Sequence, residues 1–309
     1  MSRRIAVVGS NMVDLISYVT RMPDRGETVE APDFRMGCGG KGANQAVAAA
    51  KLGADVMMVT KVGDDVFADN TIANFRRFGV DTTWVEKVPG TSSGVAPIFV
   101  EPSGENSILI IKGANAHLLP ADIDRAAADL KRCDLILMQL EVPIETVYHT
   151  IDFAKANGIE TILNPAPAAP LDPEKVSKVT FFTPNQTELA LITGLPVGDE
   201  AEAVTAAKSL VARGLRTVVV TLGARGALVV TAESVTRVPP VAVTPKDTTG
   251  AGDAFIGSFA RFYVESRDVL GSLGKAALYA ADSITKPGTQ TSYATAEEFA
   301  ALMAANSPA

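Results

Sequence analysis

Residues 246–264 read KDTTGAGDAFIGSFARFYV, with threonines, glycines and aspartates set directly ahead of an apolar run. The run predicts a helix whose first turn contains Gly250, Ala251 and Gly252. A helix N-terminus leaves backbone N–H groups unpaired and carries a partial positive charge, which makes it a ready anion site. Small residues there let an anion approach the backbone closely. Asp253, in the same turn, has two readings. An acid at that position stabilises a helix against its dipole by about 0.3–1 kcal/mol. Alternatively, the amides of 250–253 stabilise negative charge on a transferring group while Asp253 takes a proton from the attacking hydroxyl.

Working outward from that helix, short apolar, β-branched runs alternate with longer amphipathic stretches. IAVVGS (5–10), DVMMVTKVG (55–63), DLILMQLE (134–141), ETILNPAP (160–167), VTFFTPN (179–185) and RTVVVTLG (216–223) read as buried strands. Between them ANQAVAAAKLG, TVYHTIDFAKANG and EAVTAAKSLVARG read as helices ending on glycine. This alternation predicts an α/β fold, a doubly wound and mostly parallel sheet flanked by helices. Residues 15–35 and 92–112 break the pattern and read as strands and turns, with EPSGEN as a hairpin turn. They are expected to form a small β-sheet projecting from a single main domain, as a lid or a dimerisation surface. The tail AANSPA is expected to fray.

The chain has 309 residues, 47% hydrophobic and 20% charged, with a net charge of −7. No basic field points to nucleic acid as a partner. The first apolar stretch is short and broken by Gly, Ser and Asn, so neither a signal peptide nor a membrane span is read. Cys38 and Cys133 cannot make a disulfide framework, and His117 and His149 have no metal-ligand spacing with them. The expectation is a cytoplasmic protein without zinc.

A second glycine-rich loop, GCGGKGANQAV (37–47), also runs into a helix. It has neither the P-loop spacing nor the dinucleotide fingerprint. It offers backbone N–H groups together with Lys41 and Asn44, which suits a small polyhydroxylated ligand; a tight turn before a capped helix accounts for it equally well.

GSNMVD, GGKGAN, MQLE, NPAP, PNQTE, TLGARG and DTTGAGD follow one another in this order. This series resembles the ribokinase family of sugar kinases, from about residue 5 to residue 293. The resemblance implies a ribokinase-like α/β fold with a β-sheet lid often shared between two subunits, hence a homodimer, and ATP and a small sugar as ligands. It implies that Asp253 is the general base and that Gly250, Ala251 and Gly252 form the anion hole, since phosphoryl transfer relies on positioning and charge stabilisation. Asp14, Gly40, Lys41, Asn44 and Glu141 would hold sugar hydroxyls; a solvated strand-end residue is the other reading of Glu141. Asn185 and Glu188 resemble the family's Asn-x-x-Glu element, which organises Mg²⁺ and phosphates, although N-x-x-E is also close to a capping box. Thr221, Gly223, Gly226 and Gly252 would line the ATP site. Asp247, Thr249, Ser283, Lys286, Gly288 and Ser292 match positions that supply oxygens to a monovalent cation such as K⁺, several through backbone carbonyls.

One departure bears on the sugar. Ribokinases read G-S-x-N-x-D at the first motif, whereas here Met12 stands at the Asn position and Asn11 comes one residue early, on the other face of a strand. Methionine cannot pair with a hydroxyl but packs against CH₂. A buried hydroxyl without its partner costs about 1–3 kcal/mol, a factor of roughly 5 to 150. Met12 therefore favours a sugar lacking one hydroxyl, and GSNMVDL, TKVGDD and FADNTI are similar to the deoxyribokinase branch. The expected reaction is phosphorylation of 2-deoxy-D-ribose at O5. Alternatives are ribokinase activity, with Met12 merely in the core, and a catalytically silent sugar or nucleotide sensor.

Overall fold

The computed structural model describes residues 3–102 and 105–306. Ser103 and Gly104 of the expected hairpin turn, and 307–309 of the tail, lie outside the described residues. Among the described residues the strands are β1 (Arg4–Val8), β2 (Met12–Tyr18), β3 (Asp33–Gly39), β4 (Asp55–Val62), β5 (Asp81–Lys87), β6 (Val95–Val100), β7 (Asn106–Ile108), β8 (Leu135–Met138), β9 (Glu160–Leu163), β10 (Phe181–Phe182), β11 (Val218–Thr221), β12 (Ala227–Val230) and β13 (Val235–Val238). The helices are α1 (Lys41–Lys51), α2 (Val66–Arg77), α3 (Pro120–Leu130), α4 (Ile144–Ala156), α5 (Pro173–Val176), α6 (Gln186–Thr193), α7 (Glu200–Ala212), α8 (Ala251–Ser266), α9 (Val269–Ser283) and α10 (Ala296–Ala305).

Nine strands form one sheet in the order β13-β12-β11-β10-β9-β8-β1-β4-β5, parallel from β11 to β5 and antiparallel across β11-β12-β13. The six runs read from the sequence are its six contiguous inner strands, β4 through β11 in that order. Their apolar side chains alternate between two cores. Ile5, Val7, Leu135, Leu137 and Phe181 pack with α1, α8 and α9 on one face. Ala6, Val8, Ile136, Met138 and Phe182 pack with α3, α4 and α7 on the other. Burial on both faces is why these strands read as continuous apolar runs rather than alternating ones.

The two edge strands, and β12 beside one of them, were not legible in that way. β5 (DTTWVEK) and β13 (VTRV) are only partly buried, so neither shows the continuous run. β12 (ALVV) is four residues long and follows the tight turn at 222–226, where Leu222 N donates to Gly226 O at 2.8 Å.

A second sheet has the order β3-β2-β6-β7, with β2 antiparallel to β3 and parallel to β6. Its boundaries correct the expectation of 15–35 and 92–112. β2 begins already at Met12, residues 19–32 form no strand, and β3 runs on to Gly39. The second segment yields β6 and β7. Phe34, Met36, Ile108, Leu109, Ile110 and Ile111 on or beside this sheet are each at least 42% exposed. Among the described residues no helix is long and apolar enough to cross a membrane.

The strand order reverses direction at β1, which pairs with β4 on one side and β8 on the other. In such sheets ligands bind beyond the carboxyl ends of the strands at that switch. Ser10 and Asn11 follow β1, Glu141 follows β8, Asn164 follows β9, Asn185 follows β10, and Thr221 ends β11. One edge of the sheet thus gathers residues from five strands.

Candidate active site

Helix α8 begins as its sequence predicts, at Ala251 after Gly250 in a left-handed conformation (φ 74°). A Cβ on Gly250 would stand 2.2 Å from Thr289 Cγ2, so both the conformation and the contact require glycine. Tyr293 donates its hydroxyl to Gly250 O at 3.0 Å and fastens the turn. One turn further along, Gly257 lies against Gln45 O and Ala48 Cβ, where a Cβ would come within 2.4 and 2.8 Å. That close crossing brings the first turn of α1 to the first turn of α8. As a result Asn44 Nδ2 donates to Asp253 Oδ2 and Gln45 Nε2 to Asp253 Oδ1, both at 3.0 Å, and Asp253 is only 7% exposed. Asp253 makes no cap for its own helix: no side chain caps α8, and among the described residues the amides of Gly252 and Asp253 have no acceptor.

The loop before α1 differs from what its composition suggests. Glu141 Oε2 accepts from Lys41 N at 2.9 Å and from Ser10 Oγ at 2.5 Å. Ala43 N donates to Ser10 O at 2.8 Å and Gly42 N to Ser10 Oγ at 3.3 Å. Its leading amides are therefore taken up by the protein, and the expectation of free N–H groups there is corrected. The solvated reading of Glu141 is also excluded, since the residue is 6% exposed. Gly40 lies against the Asn11–Met12 backbone, with 2.7 Å from a notional Cβ to Met12 N.

Met12 and Asp14 share one face of β2. Met12 is 3% exposed, with its Sδ 3.7 Å from Asn115 Nδ2. Asn11 points elsewhere: its Nδ2 donates to Thr60 Oγ1 and Lys61 O at 2.9 and 2.7 Å, so it cannot stand in for a ligand at position 12. Burial, and then repulsion from Glu141 and Asp253, raises the Asp14 carboxyl to about 7. Burial opposes the charge of Lys41, but the carboxylates of Asp253, Glu141 and Glu188 outweigh it and hold the ammonium above its ordinary pKa. One cation thus faces a crowd of acids, an arrangement that ligand hydroxyls donating to the carboxylates would relieve.

Beside Asp253 opens a cavity of about 190 Å³ lined by Lys41, Asn164, Thr183, Asn185, Glu188, Thr221, Thr248 and residues 250–253. Asn185 and Glu188 form the capping box that their spacing allows: Asn185 Oδ1 accepts from Glu188 N at 2.8 Å, and Glu188 Oε2 from Asn185 N at 2.8 Å. Burial raises the Glu188 carboxyl, and hydrogen bonding to Asn185 works against that. Gly223 and Gly226, both at positive φ, make the hairpin turn that follows Thr221.

Asp247, Thr249 and Gly288 come together. Asp247 Oδ1 accepts from Thr249 N at 3.0 Å and Oδ2 from Gly288 N at 2.9 Å. Burial alone would raise the Asp247 carboxyl, but these donors hold it below the usual range, so it is ionised. Lys246 N and Asp247 N both donate to Ile284 O, clasping the two loops. Ser283 and Ser292 turn their hydroxyls onto Ala280 O and Thr289 O, and Lys286 Nζ turns back to Asp282. Among the described residues no group of three His, Cys, Asp or Glu side chains could hold a metal ion. A monovalent cation here would rest on Asp247 and backbone carbonyls.

Gln45, Ser10, Gln139, Asn164 and Gln290 all join the site, yet sequence reading assigned them no role. Gln45 adjoins Asn44 at a helix start, and Ser10, Gln139 and Asn164 lie within the GSNMVD, MQLE and NPAP stretches, so a signal existed for those four. Gln290 had none, because its partners are Asn44 and Asn74, far away in sequence.

Comparisons agree with this fold. Residues 2–296 match the model of the pfkB family carbohydrate kinases. The chain is 59% identical to the deoxyribokinase of Salmonella typhi over 98% of its own length and 99% of the relative's. It is 39% identical to the ribokinase of Mus musculus over 94% and 91% of the two chains. Its fold superposes on the Arabidopsis thaliana ribokinase complexed with ribose and ATP with a TM-score of 0.93, at 29% identity and covering 98% and 99% of the two chains. With its sheet and these matches in agreement, the chain belongs to the pfkB family of carbohydrate kinases, enzymes that phosphorylate sugars.

Proposed function

We propose that this kinase transfers the γ-phosphoryl group of ATP to O5 of 2-deoxy-D-ribose. The carrying observation is Asp253, buried at the start of α8 with each carboxylate oxygen fixed by a side-chain amide and the adjoining amides left open. Asp253 takes the proton from the sugar's terminal hydroxyl as that oxygen attacks phosphorus. The open amides of Gly252 and Asp253 face the charge that develops on the transferred group, while Ala251 N is held by Thr248 O at 3.3 Å, and Lys41 adds positive charge beside them. Asp14 and Glu141 accept hydrogen bonds from sugar hydroxyls, and Asn44 links sugar and base. Met12 presents an apolar surface where a deoxygenated carbon fits and a hydroxyl would lose its partner. The 59% identity to a deoxyribokinase favours the same sugar.

Thr221, Gly223, Gly226 and Gly252 line the ATP side. Asn185 and Glu188 bond to each other, so a Mg²⁺ ion would reach them through water while resting mainly on phosphate oxygens, as that ion prefers. When bound, it neutralises charge on the phosphates. Asp247, Thr249 and the carbonyl-rich turn at 283–292 suit K⁺. The small sheet would close over the sugar as a lid of a single kinase domain. Its exposed apolar residues, from Phe34 to Ile111, suit pairing with a second copy into a homodimer. ATP use and two free cysteines fit the cytoplasm.

Steady-state kinetics with Mg·ATP test the reading, comparing kcat/KM for 2-deoxyribose and ribose. Deoxyribose should be preferred, and Met12→Asn should shift the ratio toward ribose by roughly 5- to 150-fold. Equal use of both sugars by the parent protein would instead make it a ribokinase with Met12 in the core. Turnover of neither would revive the sensor reading.

A further inference from the structure

Asp253 stands at the end of a chain of carboxamides whose direction is dictated by chemistry. An ionised carboxylate only accepts, so Asn44 must turn Nδ2 toward Asp253 and Oδ1 away. Gln290 then has to answer with its NH₂, and Nε2 donates to Asn44 Oδ1 at 3.0 Å. That leaves Gln290 Oε1 to accept from Asn74 Nδ2 on α2, at 2.7 Å. Gln290 is 4% exposed, and its backbone carbonyl is held by Lys51 Nζ at 3.3 Å. The loop that carries Gln290 also fastens the anion turn, through Tyr293 to Gly250 O, and binds Asp247 through Gly288 N.

We propose that Gln290, oriented by Asn74, is a positioning residue that fixes the polarity of Asn44 and thereby keeps an N–H aimed at Asp253. This deepens, and rests on, the assignment of Asp253 as general base. A donor at 74 agrees with this direction, and only an acceptor there opposes it. Place an acceptor at 74 and each amide must turn in sequence, ending with Asn44 Oδ1 facing the Asp253 carboxylate. That exchange replaces a hydrogen bond to the charged form with a repulsive dipole and raises the proton affinity of the base. Among the described residues the charged or titratable groups facing the Asp253 cluster are Lys41 from α1, Asp14 from β2, Glu141 after β8, Glu188 from α6 and Tyr293 from the loop, and the variant substitutes none of them.

The test is the pH profile of kcat at saturating sugar and ATP for Asn74→Asp, a half-buried position outside the site. The acid limb should move up by about one pH unit, with turnover on that limb falling about tenfold. Asn74→Leu cuts the link without reversing it and should leave the limb in place. Gln290→Leu should lower kcat while the KM for ATP holds. A folded Asn74→Asp whose limb does not move, or an Asn74→Leu that moves it equally, overturns the relay. Should Asn74→Asp fail to fold, by its thermal midpoint, an unchanged kcat in Gln290→Leu overturns it instead. Asp253→Asn is run alongside. If that variant turns over, the base assignment falls and the relay with it; if it is inactive while the limb stays fixed, only the relay falls.

Discussion

The starts of α1 and α8 are close relatives on paper. Each opens on a glycine at positive φ, Gly40 at 88° and Gly250 at 74°, and neither has a side-chain cap. Elsewhere α2, α6, α7, α9 and α10 are capped by Asp65, Asn185, Asp199, Asp268 and Thr295. At α1 the leading amides bond to Glu141 and Ser10, so that terminus is a piece of scaffold that presents Lys41, Asn44 and Gln45. At α8 the amides of Gly252 and Asp253 open onto the cavity. A glycine-rich helix start thus keeps open amides only where the rest of the protein declines to fill it.

The strongest way to break this contrast is Asp253→Asn. It should lower kcat by about 10²–10⁴-fold while sugar and nucleotide still bind, measured by turnover beside calorimetric titration. Retained turnover would return Asp253 to the role of a dipole partner.

Gly252→Ala probes the open terminus directly. A Cβ there meets nothing in the protein within 4 Å, so the fold should gain about 0.5–1 kcal/mol, as Gly→Ala in a helix does. Turnover should nonetheless fall roughly 10²-fold, because the methyl occupies the anion's place. A variant that is more stable and equally active would mean that the anion sits elsewhere.

Asp14→Asn tests the crowd of acids. Its carboxyl rises from 3.8 to about 7 on folding, so between those values the native state holds a proton that the unfolded chain does not. Stability conferred by this position therefore falls as pH rises through that window, by up to about 1.4 kcal/mol per unit. The variant should melt higher than the parent above pH 7, with the gain vanishing toward pH 4, and its kcat/KM for sugar should drop about tenfold. Denaturant curves at several pH values decide it.

At the filled terminus the effect is expected in stability alone. A Cβ on Gly42 would lie 2.6 Å from Ser10 N and 2.7 Å from Ser10 O. Gly42→Ala should cost about 1–3 kcal/mol in a melt, the opposite sign to Gly252→Ala.

Much of this molecule was legible before folding. Six inner strands, each buried on both faces, announce themselves as apolar runs, and residues 246–264 announce a helix start with an acid in its first turn. Such signals are carried by neighbouring residues, and local propensity and periodicity read them. The capping box of Asn185 and Glu188 was legible for the same reason. Strands β5 and β13 were not, because partial burial at a sheet edge blurs the pattern. β2 could be recognised as a strand, but its membership of the small sheet depends on partners from Asp33–Gly39 and Val95–Val100. Only the tertiary structure decided which glycine-rich terminus stays open. That choice depends on Glu141 lying 100 residues from Lys41, and on Asn44 meeting Asp253 across 209 residues. A hydrogen bond needs its donor and acceptor within about 3 Å, and at such separations it is the packing of α1 on α8, not the order of the residues, that brings them together.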